Sequence, residues 1–168
     1  MKPAIAAAFP VLVACLVALP AQGKGNTSHF VDQLSCDSGP YKLKLPETYD
    51  ELRKIAPLKS ERLVRDQDLG QYRARHRELV FNGLRLGVVT YSNEPEKYHI
   101  SSAEIRSAQW KIASPFRQGQ ALPARVGDVD TKALKGTSTI EFSGKEDVVR
   151  VQLVGRRVAS LIYLCIPD

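Results

Sequence analysis

Thr137-Ser138-Thr139-Ile140-Glu141-Phe142, Val148–Val154 and Arg157–Ile166 are three apolar-rich runs at the C-terminal end of the chain. Ser143-Gly144-Lys145-Glu146-Asp147 separates the first two, and Gly155-Arg156 separates the last two. Runs of this length, rich in β-branched residues and bounded by turn residues, predict three consecutive antiparallel strands. In the last run both side-chain sets are apolar: Leu161 and Tyr163 alternate with Ile162 and Leu164. Such a strand belongs at the centre of a sheet. This meander is taken as the platform for the rest of the chain.

Working backwards, Gln71–Phe81 and Leu84–Tyr91 flank Asn82-Gly83, a strong tight-turn signal, and so predict a hairpin. Leu84, Leu86 and Val88 alternate with Arg85 and Gly87, which points the first set inward. Glu61–Arg65 predicts a preceding strand, Asp66–Gly70 a turn, Ser92–Glu96 a loop, and Lys97–Trp110 a further strand. Tyr41–Leu45 alternates strictly and reads as a half-buried strand. Thr48-Tyr49-Asp50-Glu51 is a capping box, which predicts a helix to about Ala56, stopped by Pro57. Gln120–Val126 is a second helical candidate, with Pro123 in its first turn. The expected fold class is α+β: an antiparallel meander with one or two short helices on one face, or a tandem helix-plus-sheet repeat.

The chain has 168 residues, 43% hydrophobic and 25% charged, which suits a single domain with an ordinary core. Residues 1–23 are set apart. Met1-Lys2 is a positive start, Pro3–Leu19 is apolar, and Pro20-Ala21-Gln22-Gly23 supplies small residues and a breaker. That is the layout of a secretory signal peptide, leaving 24–168 as one domain. Leu12-Val13-Ala14-Cys15 also matches a lipobox, in which Cys15 would be lipidated, although the apolar run continues past it. Losing Lys2 with the leader, which holds no acid, takes the net charge from +6 to +5. An exported chain of that moderate charge suits an acidic protein partner rather than nucleic acid. Cys36 and Cys165 then remain as an even pair, and in an oxidising compartment they read as a disulfide.

Tyr72-Arg73-Ala74-Arg75-His76-Arg77-Glu78 is the most unusual local sequence. On a strand, Arg73, Arg75 and Arg77 line one face. Two readings stand: a docking stripe for an acidic partner, with guanidinium forks aimed at carboxylates, or a solvated face that discourages aggregation. Both place the stripe on the solvent side, away from the core; on the preceding strand Arg62 and Arg65 would widen it, or Glu61, Asp66 and Asp68 would neutralise it, and the docking reading requires few such acids. Trp110, the single tryptophan, is either a core residue or a second partner-binding anchor. His29, His76 and His99 have no metal-ligand spacing, and no Gly-x-Ser-x-Gly occurs. No catalytic residue, metal or cofactor is assigned.

Helix Thr48–Ala56 precedes the Gln71–Tyr91 hairpin, and Phe116–Val126 precedes Thr137–Ile166. That order resembles the small exported α+β proteins of the beta-lactamase-inhibitor-protein type and the BamE-like outer-membrane assembly lipoproteins. Phe116-Arg117-Gln118-Gly119 keeps the glycine of the family's helical segment, but Pro123 interrupts the helix after it and no Leu-Gly end is present. The resemblance implies a non-enzymatic binder. The expected function is a periplasmic protein-binding module, an inhibitor or immunity protein that blocks a secreted effector enzyme. The alternatives are an outer-membrane accessory or assembly lipoprotein, which requires lipidation at Cys15 and is the one case with a membrane, and a small cell-envelope enzyme.

Overall fold

The computed structural model describes residues 27–30, 44–110, 116–134, 138–144 and 147–165. The leader, Cys15, Cys36 and residues 41–43 of the expected first strand lie outside them. Ten strands are present: β1 Thr27–Phe30, β2 Ser60–Asp68, β3 Arg73–Phe81, β4 Leu84–Tyr91, β5 Glu94–Ile105, β6 Arg125–Val126, β7 Val129–Asp130, β8 Thr139–Ser143, β9 Asp147–Val154 and β10 Arg157–Cys165. One α-helix, α1 Tyr49–Leu52, and a 3-10 turn at Thr131–Ala133 complete the described residues.

Eight strands form one sheet in the order β1-β8-β9-β10-β5-β4-β3-β2, and β6 pairs only with β7. Two meanders, β2 to β5 and β8 to β10, are joined where β10 pairs antiparallel with β5. β10 is thereby central, as its two apolar faces require. Segment 27–30 is a strand and runs parallel to β8, so the sheet is mixed rather than purely antiparallel.

The expectation of an α+β fold is overturned: among the described residues the fold is mostly β. The Thr48 cap forms as read, its hydroxyl accepting from the Glu51 N–H at 3.3 Å, but α1 lasts one turn. A helix that short has no stability of its own and persists only where it is packed. Leu52 provides that packing against β5, fully buried. The second helix does not form. Gly119 takes φ 81°, Pro123 offers no N–H, and the chain bonds instead to the start of β10. The tandem repeat falls with it.

Registers across the sheet set one continuous apolar row: Leu79, Leu86, Ala103, Tyr163, Val149 and Phe142. A second row beside it holds Phe81, Leu84, Ile105, Leu161, Val151 and Ile140. All are buried, and Leu52 of α1, Phe116 and Val126 of β6 join the same core cluster from outside the eight-stranded sheet. The opposite face is a charge ladder. Glu78 lies between Arg62 (3.3 Å) and Arg85 (3.8 Å), Glu104 between Arg85 (3.9 Å) and Arg106 (2.6 Å), and Glu141 meets Arg150 at 2.8 Å.

The β3–β4 turn depends on Gly83. Its φ is 70°, and a Cβ there would come 2.3 Å from the Ser107 Cβ. Gly83→Ala therefore meets left-handed backbone strain and a clash together, with an expected loss of about 2–3 kcal/mol in urea unfolding. A loss below about 1 kcal/mol would mean that the turn relaxes freely.

Candidate protein-docking surface

The arginine stripe stands elsewhere than expected. Arg73, Arg75 and Arg77 alternate in step with Leu79 and Phe81, so they share the core face of β3. α1 reaches partly over them. The Arg77 side chain is 21% exposed. Its Nη1–H donates to the Thr90 hydroxyl at 2.8 Å, its Nε lies 3.6 Å from Glu61, and its guanidinium carbon sits 5.6 Å from the centre of the Tyr49 ring. Glu61 also accepts from the Tyr49 hydroxyl at 2.8 Å and from the Arg53 Nε–H at 2.9 Å. Burial, then the hydrogen bond to Glu61 and that carboxylate's charge, push the Tyr49 phenol well above its ordinary pKa. Arg73 and Arg75 share Asp66 at 3.5 and 3.7 Å.

The physical reason is the cost of bringing a guanidinium over a core without partners, which is prohibitive. Glu61 and Asp66, both on β2, supply the partners. Arg73 and Arg75 remain exposed, at 52% and 46%, but the expectation of a face away from the core with few acids is corrected: the stripe shares the face of Leu79 and Phe81 and is tied down by Glu61 and Asp66 of β2. Nearby, the Tyr98 hydroxyl donates to the Pro46 carbonyl, and burial and the Glu51 charge raise its pKa to about 12, so it remains a donor at neutral pH.

β2 itself ends the sheet. Eight of its nine residues are exposed. Leu63 is 52% and Val64 58% exposed. The pairing with β3 slips between Leu63 and Arg65, so Val64 is the extra residue of a bulge. Parity changes there. Glu61, Leu63, Asp66 and Asp68 lie on the core side, opposite Leu79, Arg77, Arg75 and Arg73, while Arg62 and Arg65 lie on the other side, opposite Glu78 and His76. Arg65 meets no carboxylate among the described residues. The sequence signal for an edge was available: five of the nine residues in Ser60–Asp68 are charged, which a central strand does not tolerate.

The remaining candidates do not converge with β2. Trp110 packs beside Phe81 (5.8 Å between ring centres) and donates its Nε1–H to the Asn82 carbonyl at 2.8 Å, at the opposite end of β3 from Arg73. His29 lies against Phe142, and His99 against Tyr91. His76 lies opposite Val89 on the face away from the stripe. Cys165 is 7% exposed and disulfide-bonded, so its sulfur is not a nucleophile; Cys36, its expected partner, lies outside the described residues. No group of three or more His, Cys, Asp or Glu able to hold a metal occurs among the described residues. No protein-family model, curated protein or solved structure matches this chain.

Proposed function

We propose that this protein is an exported, periplasmic protein-binding module, an inhibitor or immunity protein that blocks a secreted effector enzyme, and that it grips its partner by strand addition at β2. The observation that carries the reading is the open nine-residue edge with Leu63 and Val64 exposed on it. Edge strands offer unpaired N–H and C=O groups that an extended segment can complete, and alternate side chains then set specificity.

A second copy of this chain is a poor occupant. An antiparallel pairing of two β2 edges that keeps both faces matched sets Arg62 against Arg65 of the second copy and Glu61 against its Asp66. Sliding by one pleat sets Glu61 against Asp68 and Leu63 against Asp66. Like charges directly opposite destabilise such pairs. An extended segment with acidic side chains toward Arg62 and Arg65, and apolar ones beside Leu63 and Val64, meets no such conflict. The bulge and the charges thus leave the edge closed to itself and open to a partner whose acidic side chains fall beside Arg62 and Arg65, on the face away from Glu61, Asp66 and Asp68.

The test places a photo-crosslinking amino acid at position 64 and identifies what it traps in the envelope. The trapped enzyme's activity is then measured with wild-type protein and with Arg65→Glu. Wild type is expected to inhibit, and Arg65→Glu to weaken inhibition about tenfold or more through slower, less salt-sensitive association. Its melting temperature should not move, because Arg65 is exposed and meets no carboxylate among the described residues. Uninhibited activity with wild type, or equal inhibition by both proteins, overturns the reading.

A further inference from the structure

The β9–β10 turn is built in an unfavourable way. Gly155 has φ 56° and Arg156 φ 65°, the two left-handed residues of a type I′ turn. Glycine or asparagine suits the second position, and arginine is held there against its steric preference. A non-glycine residue kept in this region is a reason to look for function.

Around this tip the backbone assembles a basic cluster. Segment 119–122 lies along the start of β10: the Gly119 N–H donates to the Val158 carbonyl at 2.7 Å, the Val158 N–H to the Gln120 carbonyl at 2.9 Å, and the Leu122 N–H to the Arg156 carbonyl at 3.4 Å. The Arg157 Nη1–H donates to the Gly119 carbonyl at 2.9 Å. Arg117 lies in the turn that precedes this segment, its carbonyl accepting from the Gln120 N–H at 3.1 Å. All three arginines are exposed, and none meets a carboxylate among the described residues. Arg65 and Arg125 are likewise without one among the described residues, whereas Arg62, Arg73, Arg75, Arg77, Arg85 and Arg150 each meet one. Beside them Val154 is 73% exposed, the most exposed large apolar side chain described.

We propose that this tip docks the protein on an anionic lipid surface. Arg117, Arg156 and Arg157 bind headgroup phosphates through guanidinium forks, whose planar donors match phosphate oxygens. Val154 enters the headgroup boundary. The occupant is a surface rather than an extended acidic segment for two reasons. The cluster sits on the tip of a hairpin and not along an open strand edge, so it has no backbone ladder to offer. The apolar side chain stands at the same tip as the charges, the arrangement by which interfacial segments combine apolar insertion with electrostatic attraction to anionic lipid. The site is separate from β2, which stands at the far end of the sheet beyond β5, β4 and β3.

The experiment is co-sedimentation of the mature protein with vesicles of phosphatidylglycerol and phosphatidylcholine in equal parts, against pure phosphatidylcholine. Binding to the anionic vesicles is expected, falling as salt rises. Each of Arg117→Gln and Arg157→Gln should weaken it about fivefold, the weight of one basic residue near an anionic surface. Arg156→Gly is the decisive variant: it should weaken binding by the same factor while raising the melting temperature, because it relieves the left-handed strain. Val154→Asp should weaken binding further, and Val154→Trp should strengthen it. Equal binding of wild type and Arg156→Gly, binding to pure phosphatidylcholine at the same level, or full competition by soluble polyglutamate overturns the proposal. The last outcome would assign the tip to an acidic protein segment.

Discussion

Phe142→Ala is expected to lower the free energy of unfolding by about 3–5 kcal/mol, the range for deleting a buried aromatic side chain. Phe142 is fully buried on β8. Its ring stacks on Phe116 with centres 5.0 Å apart and planes at 29°, and His29 of β1 approaches it at 6.1 Å. The residue therefore joins three parts of the chain: the edge strand β1, the meander β8 to β10, and the irregular segment that covers the core. Removing it leaves a cavity between a sheet and a loop. The loop side can relax more than the sheet side, which argues for the lower half of the range. The measurement is urea unfolding of wild type and variant, with an unchanged slope and a shifted midpoint. Val154→Ala, at an exposed position, is the control and should cost less than about 0.5 kcal/mol. A Phe142→Ala loss as small as the control's would show that Phe142 and Phe116 do not share a packed core.

The sequence made the local pairings readable. Asn82-Gly83 and Gly155-Arg156 mark hairpins, and the alternation of Leu84, Leu86 and Val88 fixes their inward face. The exposure of Arg73 and Arg75 was read correctly, but the face of the stripe was readable too, and was misread. Arg73, Arg75 and Arg77 have the same parity as Leu79 and Phe81, so period-two alternation alone puts them on the core side. Three charges in a row suggest solvent, yet Glu61 and Asp66, which neutralise them, are contributed by β2 across the sheet. The sequence offered Glu61, Asp66 and Asp68 as neutralisers beside Arg62 and Arg65 as extenders, and only the strand register decides that Glu61 and Asp66 pair with the stripe. Local sequence does not announce the β5–β10 pairing, which joins residues more than fifty apart and decides which strands end at the edges. The helices were overread for a different reason. A capping box specifies where a helix starts; its length is set by how much of it finds a core, and only Leu52 is fully buried. The edge character of β2 was signalled by its five charged residues, whereas the arginine tip at 154–157 emerges only when strand order and burial are known together.

Breaking the disulfide at Cys165 is the other large effect expected. Cys165 closes β10, the strand between β9 and β5, and is paired across the sheet with Asp147. With Cys36 as its partner, the bond links a segment before the first meander to the centre of the sheet. A loop from 36 to 165 is long, and chain entropy assigns its closure about 4–5 kcal/mol; losing such a bond from a small exported domain typically costs about 2–5 kcal/mol. Cys165→Ser should therefore lower the melting temperature by about 5–15 °C for a domain of this size. The pairing itself is read from a double-mutant cycle. If Cys36 and Cys165 form one bond, Cys36→Ser, Cys165→Ser and the double variant lose nearly the same stability, because the second substitution removes nothing that the first has left. Additive losses would place each sulfur in a different interaction. The chemical counterpart is thiol labelling of the mature protein, denatured without reductant. No label is expected on wild type, and one label on either single variant. Two labels on wild type would remove the bond, and the stability of β10 would then rest on its pairing with β9 and β5 alone.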